Sequence, residues 1–219
     1  METKNTTKKI ALVFTMKKVG SSTIMQAFRD IGRNPERGYA ENVGALRPFD
    51  EYEKVVILIR DPIARNLSFF FEMFGEEFLR GKHKNKAILE FFLSSAVDHI
   101  YPIRWFDEYF QGAFGIDVYK HKFAKTRGWS IVEDRYLLIQ TERLSEVLPD
   151  AFDKLFGEHC KVQHRAKTKE TRQYGELYGN FLAWVKFPES YVDEMYENKY
   201  VKHFYLKKQI DAMRKRWTK

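Results

Sequence analysis

The sequence has very little cysteine, since Cys160 is the only one in 219 residues. A disulfide within the chain needs two thiols, so we expect none, and a single thiol is typical of a reducing compartment. Long apolar runs are also lacking. No stretch approaches the roughly 18 consecutive apolar residues of a membrane-spanning helix, and the apolar segment near the start is too short for a signal peptide. We therefore expect a cytoplasmic protein that does not span a membrane.

The composition is that of a folded globular chain, with 44% hydrophobic and 31% charged residues. Its length suits a single domain over residues 1–219, and no linker-like segment divides it. The net charge of +8 predicts an anionic partner. A nucleotide, a phosphorylated small molecule, a nucleic acid and a lipid surface all remain open on charge alone.

Two apolar segments each lead directly into a helix. Ile10 to Phe14 and Val55 to Ile59 are continuous apolar runs, which favours strands buried on both faces. The first helix is indicated by apolar residues at helical spacing before Gly32, and the second by Asp61 as N-cap with proline next. Such units predict an α/β fold with a mainly parallel sheet, in which both loops lie at the carboxyl edge where ligands bind.

The rest of the chain gives a coarser outline. We expect helices near Lys86–Val97 and Arg104–Phe110, a strand at Tyr136–Gln140, a helix around Leu144–Phe156, and a helical C-terminal part. The connection from Arg33 to Glu53 is long enough to be a lid or an acceptor-binding segment, or to contain a short strand. A helical stripe of phenylalanines at positions 69–74 indicates packing rather than nucleic-acid stacking.

The segment KKVGSST follows the first strand and has the chemistry of an anion-binding loop. Backbone N–H groups and the positive helix end converge there, Lys18 adds a mobile charge, and the hydroxyls of Ser21, Ser22 and Thr23 follow Gly20. Ordinary turn and N-cap residues are the alternative interpretation. The Walker pattern is not met, because one glycine is present and the lysine precedes it, which argues against a Mg-ATP loop.

The second junction, RDPIARNLS, supplies Arg60 before the helix and Ser68 eight residues later. Arginine offers a bidentate fork to phosphate, and a serine near the start of the helix can reach the same group. Taken alone, Arg60 could be a salt-bridge partner, and Ser68 could be a residue on the face of a helix. Together the two loops predict a site for two anionic groups, one at Lys18 and one at Arg60.

These two motifs resemble the 5′-phosphosulfate and 3′-phosphate loops of sulfotransferases that use 3′-phosphoadenosine 5′-phosphosulfate (PAPS). The resemblance is closest to bacterial sulfotransferase-like proteins of capsular polysaccharide synthesis, with further similar segments in WFDEYFQGAFGIDVYKHKF and NKYVKHFY. It implies a P-loop-like three-layer fold with a helical C-terminal third. It also implies PAPS as donor, 3′-phosphoadenosine 5′-phosphate (PAP) as product, and an acceptor hydroxyl on a saccharide or lipid-linked sugar.

The resemblance implies a role for each matching residue. Lys18 would contact the sulfonyl end and the bridging oxygen, while Gly20, Ser21, Ser22 and Thr23 would hold the 5′-phosphate. Arg60 and Ser68 would bind the 3′-phosphate. In-line transfer of this kind depends on placement and on stabilising developing negative charge, so we expect no metal.

The general base is less defined by the sequence. Sulfotransferases use a histidine or a glutamate a few tens of residues after the lysine, but no histidine precedes His83 here. Glu41 in the long connection is the first candidate, with Glu36 behind it, and His99 is the other. A solvated carboxylate or a structural histidine is the alternative for each.

The later basic segments leave several interpretations open. Further phosphate contacts are expected from the sequence near HRAKTKETRQ, through Arg165, Lys167, Lys169 and Arg172, unless this is a solvated turn. Cys160 with His159 and His164 is weak support for zinc. The basic C-terminus could contact an anionic membrane or be a solvated end. A Mg-ATP kinase or hydrolase and a nucleic-acid-binding module remain the rival functions, although we expect no nucleic acid.

Overall fold

The structure, a computed structural model, describes residues 10–94, 97–160 and 172–218. Within these ranges the strands form one five-stranded sheet in the order β2-β1-β3-β5-β4. All neighbouring pairs are parallel except β4 with β5. The strands are β1 (Ile10–Phe14), β2 (Glu36–Gly38), β3 (Tyr52–Ile59), β4 (Trp129–Val132) and β5 (Tyr136–Gln140). The α/β class with a mainly parallel sheet is therefore confirmed.

Helices connect and surround the strands. They are α1 (Ser21–Asp30), α2 (Pro62–Arg80), α3 (Asn85–Phe92), α4 (Tyr101–Trp105), α5 (Gln111–Phe114), α6 (Leu144–Phe156), α7 (Gly175–Trp184), α8 (Glu189–Tyr196), α9 (Lys199–Phe204) and α10 (Lys207–Trp217). A π-helical turn, Phe106–Phe110, joins α4 to α5. The described residues after α6 contain helices and no strand, as expected for the C-terminal part.

The two strand-to-helix units have the predicted form. β1 leads into α1 through residues 15–20, and β3 leads into α2 through Arg60 and Asp61. The Asp61 side chain accepts hydrogen bonds from the backbone N–H groups of Ile63 and Ala64, with Pro62 at the first helical position. This confirms the predicted cap. Since β1, β3 and β5 are parallel, the segments that follow them meet at one edge of the sheet.

The connection 33–53 contains a short strand rather than an uninterrupted loop. Glu36–Gly38 adds β2 to the sheet edge beside β1, and two 3₁₀ segments follow, Ala40–Ala45 and Phe49–Glu51. Most side chains of the first 3₁₀ segment are exposed. The short strand was therefore present, and it directs the exposed 3₁₀ segment toward the first loop.

The core lies between the strands and the helices. The side chains of β3 from Val55 to Ile59 are fully buried, as are Phe70 and Phe71 on α2. Phe28 of α1 stacks edge-on against Phe152 and packs near Phe156 of α6. Phe70 and Phe71 thus belong to the core and Phe74 packs against it, as their spacing indicated, whereas Phe69 is only half-buried.

Candidate functional site at the carboxyl edge of the sheet

The first loop has a backbone that side chains from neighbouring segments hold in place. The Thr141 hydroxyl donates to the Val19 carbonyl at 2.7 Å, and the Arg65 Nε donates to the Lys17 carbonyl at 3.2 Å. The Arg60 guanidinium donates to the Lys18 carbonyl. Three consecutive carbonyl groups of the loop therefore accept hydrogen bonds from α2, from the second loop and from the residue that follows β5.

Two residues of this loop have left-handed backbone geometry. Lys18 has a φ of +68° and Gly20, the N-cap of α1, has a φ of +92°. Glycine adopts this conformation without steric cost, whereas lysine pays a strain that the surrounding contacts must offset. No side chain of the described residues caps α1. The Thr23 N–H donates to the Gly20 carbonyl at 3.0 Å, whereas the N–H groups of Ser21 and Ser22 have no partner within the helix and are suited to an anion.

The side chains of the loop differ in how they are presented. The Lys18 Nζ lies 3.4 Å from a Glu72 carboxylate oxygen, and the Lys18 side chain is only 18% exposed. Ser21 is buried, with its Oγ 3.4 Å from the Tyr39 hydroxyl. Ser22 is exposed and Thr23 is half-buried. The open hydroxyls at the start of α1 are therefore those of Ser22 and Thr23.

The second loop is held by a tyrosine from the C-terminal helices. The Tyr200 hydroxyl accepts from the Arg60 N–H at 3.0 Å and donates to the Arg60 carbonyl at 2.8 Å. Burial and the nearby carboxylates of Glu142 and Asp61 keep the pKa of Tyr200 well above its usual value, so its hydroxyl stays protonated. Arg60 itself is half-buried. Because the Arg60 guanidinium also donates to the Lys18 carbonyl, Arg60 lies directly beside Lys18.

Ser68 lies on α2 and is 95% buried, with an exposure of 5%. It meets Tyr178 of α7. Burial raises the pKa of Tyr178, while a hydrogen bond with the Ser68 side chain and the charge of Arg60 act in the opposite direction. The tyrosine beside Ser68 is therefore also influenced by the charge of Arg60.

Glu41 lies at the first loop. Its carboxylate is 3.9 Å from the Lys17 Nζ, and both side chains are about half exposed. Tyr39, two residues before Glu41, contacts Ser21 at the start of α1. The predicted base therefore lies next to the lysine that precedes Lys18. Glu36 lies further along the sheet edge and pairs with Arg47 at 3.4 Å.

His99 has both ring nitrogens in hydrogen bonds within the protein. Its Nε2 lies 2.8 Å from the Phe92 carbonyl, and its Nδ1 lies 2.9 Å from the Tyr191 hydroxyl. This arrangement assigns the proton to Nε2 and leaves Nδ1 to accept from Tyr191. Burial lowers the pKa of His99. A neutral ring with both nitrogens used is held as a packing element in this structure.

Three charged residues at the site were not singled out from the sequence. Glu72 pairs with Lys18, Arg65 supports Lys17, and Glu142 follows β5. The Arg65 guanidinium is 3% exposed between the rings of Phe69 and Tyr101, and burial lowers its pKa to about 10, so it stays charged at neutral pH. The positions of Arg65 and Glu72 on α2, each about one turn from Ser68, were the available signal.

Glu142 connects the second loop to the C-terminal part. One carboxylate oxygen accepts from the Asp61 N–H at 2.7 Å, and the other accepts from the Tyr205 hydroxyl at 3.1 Å. Desolvation raises the pKa of this carboxyl, against the hydrogen bond from Asp61. Glu142 therefore positions the backbone next to Arg60 rather than facing a ligand directly.

Some of the predicted contacts lie outside the described residues. These are the basic residues Arg165, Lys167 and Lys169, and His164. Arg172 is described and exposed. In residues 10–94, 97–160 and 172–218 no group of three or more His, Cys, Asp or Glu side chains could hold a metal ion. Within the same ranges, no helix has the length and apolar character needed to cross a membrane.

Comparison with known proteins gives one match. Residues 84–206, more than half of the chain, match the model of a family described as "Putative capsular polysaccharide synthesis protein". The match begins after both loops and covers α3 to α9, so it includes Glu142 and Tyr200 but not Lys18 or Arg60. No curated protein and no solved structure matches the chain significantly.

Proposed function

Because the chain belongs to this family of capsular polysaccharide synthesis proteins, we propose that it is a sulfotransferase that moves a sulfonate from PAPS to a saccharide hydroxyl. The family description is compatible with a saccharide acceptor, and a lipid-linked sugar is part of the proposal. The donor is supported by one observation above the others, the hydrogen bond from the Arg60 guanidinium to the Lys18 carbonyl. It joins two loops that each have the chemistry of an anion site.

The sheet supports a P-loop-like arrangement for this activity. β1 lies between β2 and β3, and the first loop leaves its carboxyl end. Ligands of open α/β sheets bind at this edge. The segments after β1, β3 and β5 contact one another at this edge. The nucleotide would therefore lie across the ends of β1 and β3, within a three-layer P-loop-like fold.

The residues present fit a nucleotide phosphorylated at both ends of its ribose. The N-terminus of α1 with Ser22 and Thr23 offers backbone and hydroxyl donors to a 5′-phosphate. Arg60 has further guanidinium N–H groups beyond the one bonded to Lys18, and Ser68 lies in the same region. The two loops leave the neighbouring strands β1 and β3, so one ligand can contact both.

The proposed chemistry needs one charge donor and one base. Lys18 stabilises the electron pair that stays on the 5′-phosphate oxygen as its bond to sulfur breaks and the bond from sulfur to the acceptor oxygen forms. Glu41 takes the proton of the acceptor hydroxyl. Lys18 is mostly buried, which strengthens its interaction with developing charge, whereas Glu41 is open to an incoming acceptor.

A binding experiment separates this function from its rivals. We expect PAP to raise the melting temperature of the protein without a metal ion, and to do so more than ATP with magnesium or a single-stranded oligonucleotide. A response to Mg-ATP alone would instead favour a kinase or a nucleotide hydrolase. A response to the oligonucleotide alone would favour a nucleic-acid-binding module.

A variant pair locates the 3′-phosphate. Arg60→Ala should weaken the binding of PAP at least about tenfold more than that of adenosine 5′-phosphate, since only PAP carries the 3′-phosphate. Arg80→Ala is the matched control, because it removes an exposed arginine from the far end of α2. Equal losses for the two nucleotides in Arg60→Ala would place the 3′-phosphate elsewhere.

A further inference from the structure

A second basic region lies at the same edge of the sheet, outside the site described above. It is an open groove of about 620 Å³, lined by residues 122–127 before β4 and by Lys202 and His203 of α9. We call it the β4 groove. Four of its lining side chains are cations, Lys122, Lys125, Arg127 and Lys202, and none of the groove residues is acidic.

The four cations have no carboxylate partner in the part of the chain that the structure describes. Elsewhere, cations such as Lys199 and Arg214 pair with carboxylates at 2.5 Å. In the groove, the Lys125 Nζ donates to the Lys202 carbonyl at 2.5 Å, and Arg127 donates to the Trp129 carbonyl at 3.2 Å. Their charges are therefore positioned by the backbone and not neutralised, which is the condition of an anion site.

A further feature indicates that the groove is prepared for a ligand. The Arg127 guanidinium lies 3.9 Å over the Trp129 ring, which fixes its orientation. His203 also lines the groove, but its Nε2, which has no hydrogen-bond partner within the described ranges, is closed to solvent and does not itself face a ligand.

The groove and the candidate site are adjacent. β4 runs antiparallel to β5, so its first residue pairs with Ile139 near the carboxyl end of β5. The Gly128 carbonyl accepts from the Gln140 N–H at 2.9 Å. The groove therefore lies at the ligand-binding edge, two strand spacings or about 10 Å from β3. α9 links the two regions, since Tyr200 binds the Arg60 backbone and Lys202 lines the groove.

We propose that the β4 groove binds an anionic stretch of the saccharide polymer whose hydroxyl reacts at Lys18. The anion preference follows from the four cations, while the saccharide identity rests on the proposed function. Two observations disfavour other polyanions. Phe123, the one phenylalanine, tyrosine or tryptophan among the described residues that line the groove, is 6% exposed and unsuited to stacking bases. None of these described residues has a large exposed apolar side chain that could enter a membrane.

The test measures binding of a fluorescein-labelled oligogalacturonate of defined length to the full chain, without any nucleotide. The groove variant is Lys122→Gln with Lys202→Gln, and because both side chains are exposed we expect the fold to stay intact. The matched control is Lys208→Gln with Lys215→Gln, which removes the same charge from exposed lysines of α10. We expect about a fivefold or greater loss of affinity in the groove variant, and less than twofold in the control.

Two other outcomes of the binding measurements would overturn the proposal that the β4 groove binds an anionic saccharide. Equal losses in both variants would mean that general charge attracts the polymer. Tighter binding of neutral dextran, of a single-stranded oligonucleotide or of vesicles containing phosphatidylglycerol would assign the groove to another ligand.

PAP affinity, measured on the same variants, should not change in the groove variant. If PAP fails to bind the unmodified protein, the proposed function fails while the oligogalacturonate result still decides the groove.

Discussion

The Trp217 indole N–H donates a hydrogen bond to the Asp61 carboxylate at 3.1 Å, across 156 positions of the chain. The other oxygen of this carboxylate accepts from the Tyr196 hydroxyl at 2.8 Å and caps α2. Asp61 is 3% exposed. A residue that the sequence identifies as a helix cap therefore also joins the end of the chain to the second loop.

The Asp61 network should contribute measurably to stability. Asp61→Asn replaces a charged acceptor by an amide whose NH₂ faces donors, and we expect the free energy of unfolding to fall by about 2–4 kcal/mol. Urea unfolding followed by tryptophan fluorescence measures this. Trp217→Phe removes one donor only and should cost less, about 1–3 kcal/mol.

A surface aspartate provides the control. Asp211 pairs with Lys207 at 3.1 Å on the exposed side of α10, and Asp211→Asn should change stability by less than about 0.5 kcal/mol. A cost for Asp61→Asn no larger than this would mean that the buried carboxylate does not hold the C-terminal helices. PAP affinity should also fall in Asp61→Asn, because Arg60 precedes the network directly.

Lys18 is the residue whose removal should separate binding from catalysis. We expect Lys18→Ala to lower sulfonate transfer by more than about 100-fold with a modest loss of PAP affinity, because the lost interaction forms mainly in the transition state. PAP release from PAPS with a screened saccharide acceptor measures the rate. Lys208→Ala is the control, since it removes the same charge from an exposed side chain of α10. A near-normal rate in Lys18→Ala would remove Lys18 from the mechanism.

Glu72 should compete with the anionic donor for Lys18. Its carboxylate lies 3.4 Å from the Lys18 Nζ, so Glu72→Gln frees the lysine charge, and we expect PAP to bind about two- to fivefold more tightly. Isothermal titration calorimetry measures the affinity. Glu76→Gln removes the same charge one turn further along α2 and should have little effect. Weaker binding in Glu72→Gln would indicate that Glu72 positions Lys18 instead.

The sequence predicts the part of this site that depends on local pattern. Continuous apolar strands followed by loop and helix signals place Lys18 and Arg60 at one sheet edge, because parallel strands share the direction of their carboxyl ends. The bonds between the two loops follow from that placement. The strand Tyr136–Gln140 and the helix Leu144–Phe156 were predicted with the observed bounds, since both patterns are strong.

The sequence did not predict contacts between distant segments, or the bounds of elements whose apolar pattern is weak. The predicted helix Lys86–Val97 instead spans Asn85–Phe92 and ends in a turn at Leu93, and the predicted Arg104–Phe110 is part of a longer run from Tyr101 to Phe114. The four-residue β4 gave no clear signal, because it forms by antiparallel pairing with β5. The partners of Asp61 come from helices more than 130 positions away, which no local pattern encodes.

The rates of sulfonate transfer in variants of Glu41 and His99 should show which residue is the general base. If Glu41 takes the acceptor proton, Glu41→Gln should lower transfer by about 10²–10⁴-fold while PAP affinity stays the same. The matched control is Glu51→Gln, which removes the same charge from an exposed residue of the same connection that pairs with Arg47. His99→Gln should leave the rate within a few fold. A large loss in His99→Gln with normal transfer in Glu41→Gln would reverse the assignment.

His99 should make the stability of the protein depend on pH. Burial lowers the pKa of the folded-state imidazole from its usual value of 6.5, against the hydrogen bond to Phe92 and the charges of Glu194 and Asp98. The unfolded chain therefore binds more protons than the folded chain just below pH 6.5. The contribution of the neutral ring is fully present above pH 6.5 and is lost as the pH falls through the window between the two pKa values.

A substitution isolates this contribution. Glutamine supplies one donor for the Phe92 carbonyl and one acceptor for the Tyr191 hydroxyl, but it does not titrate. We expect the free energy of unfolding of His99→Gln to fall less steeply than that of the unmodified protein as the pH is lowered from 7 to 5. Burial and Lys125 lower the pKa of His203 as well, so the double variant with His203→Gln should flatten the profile further. Parallel profiles for all three proteins would show that His99 is protonated without cost, and that its two hydrogen bonds do not depend on a neutral ring.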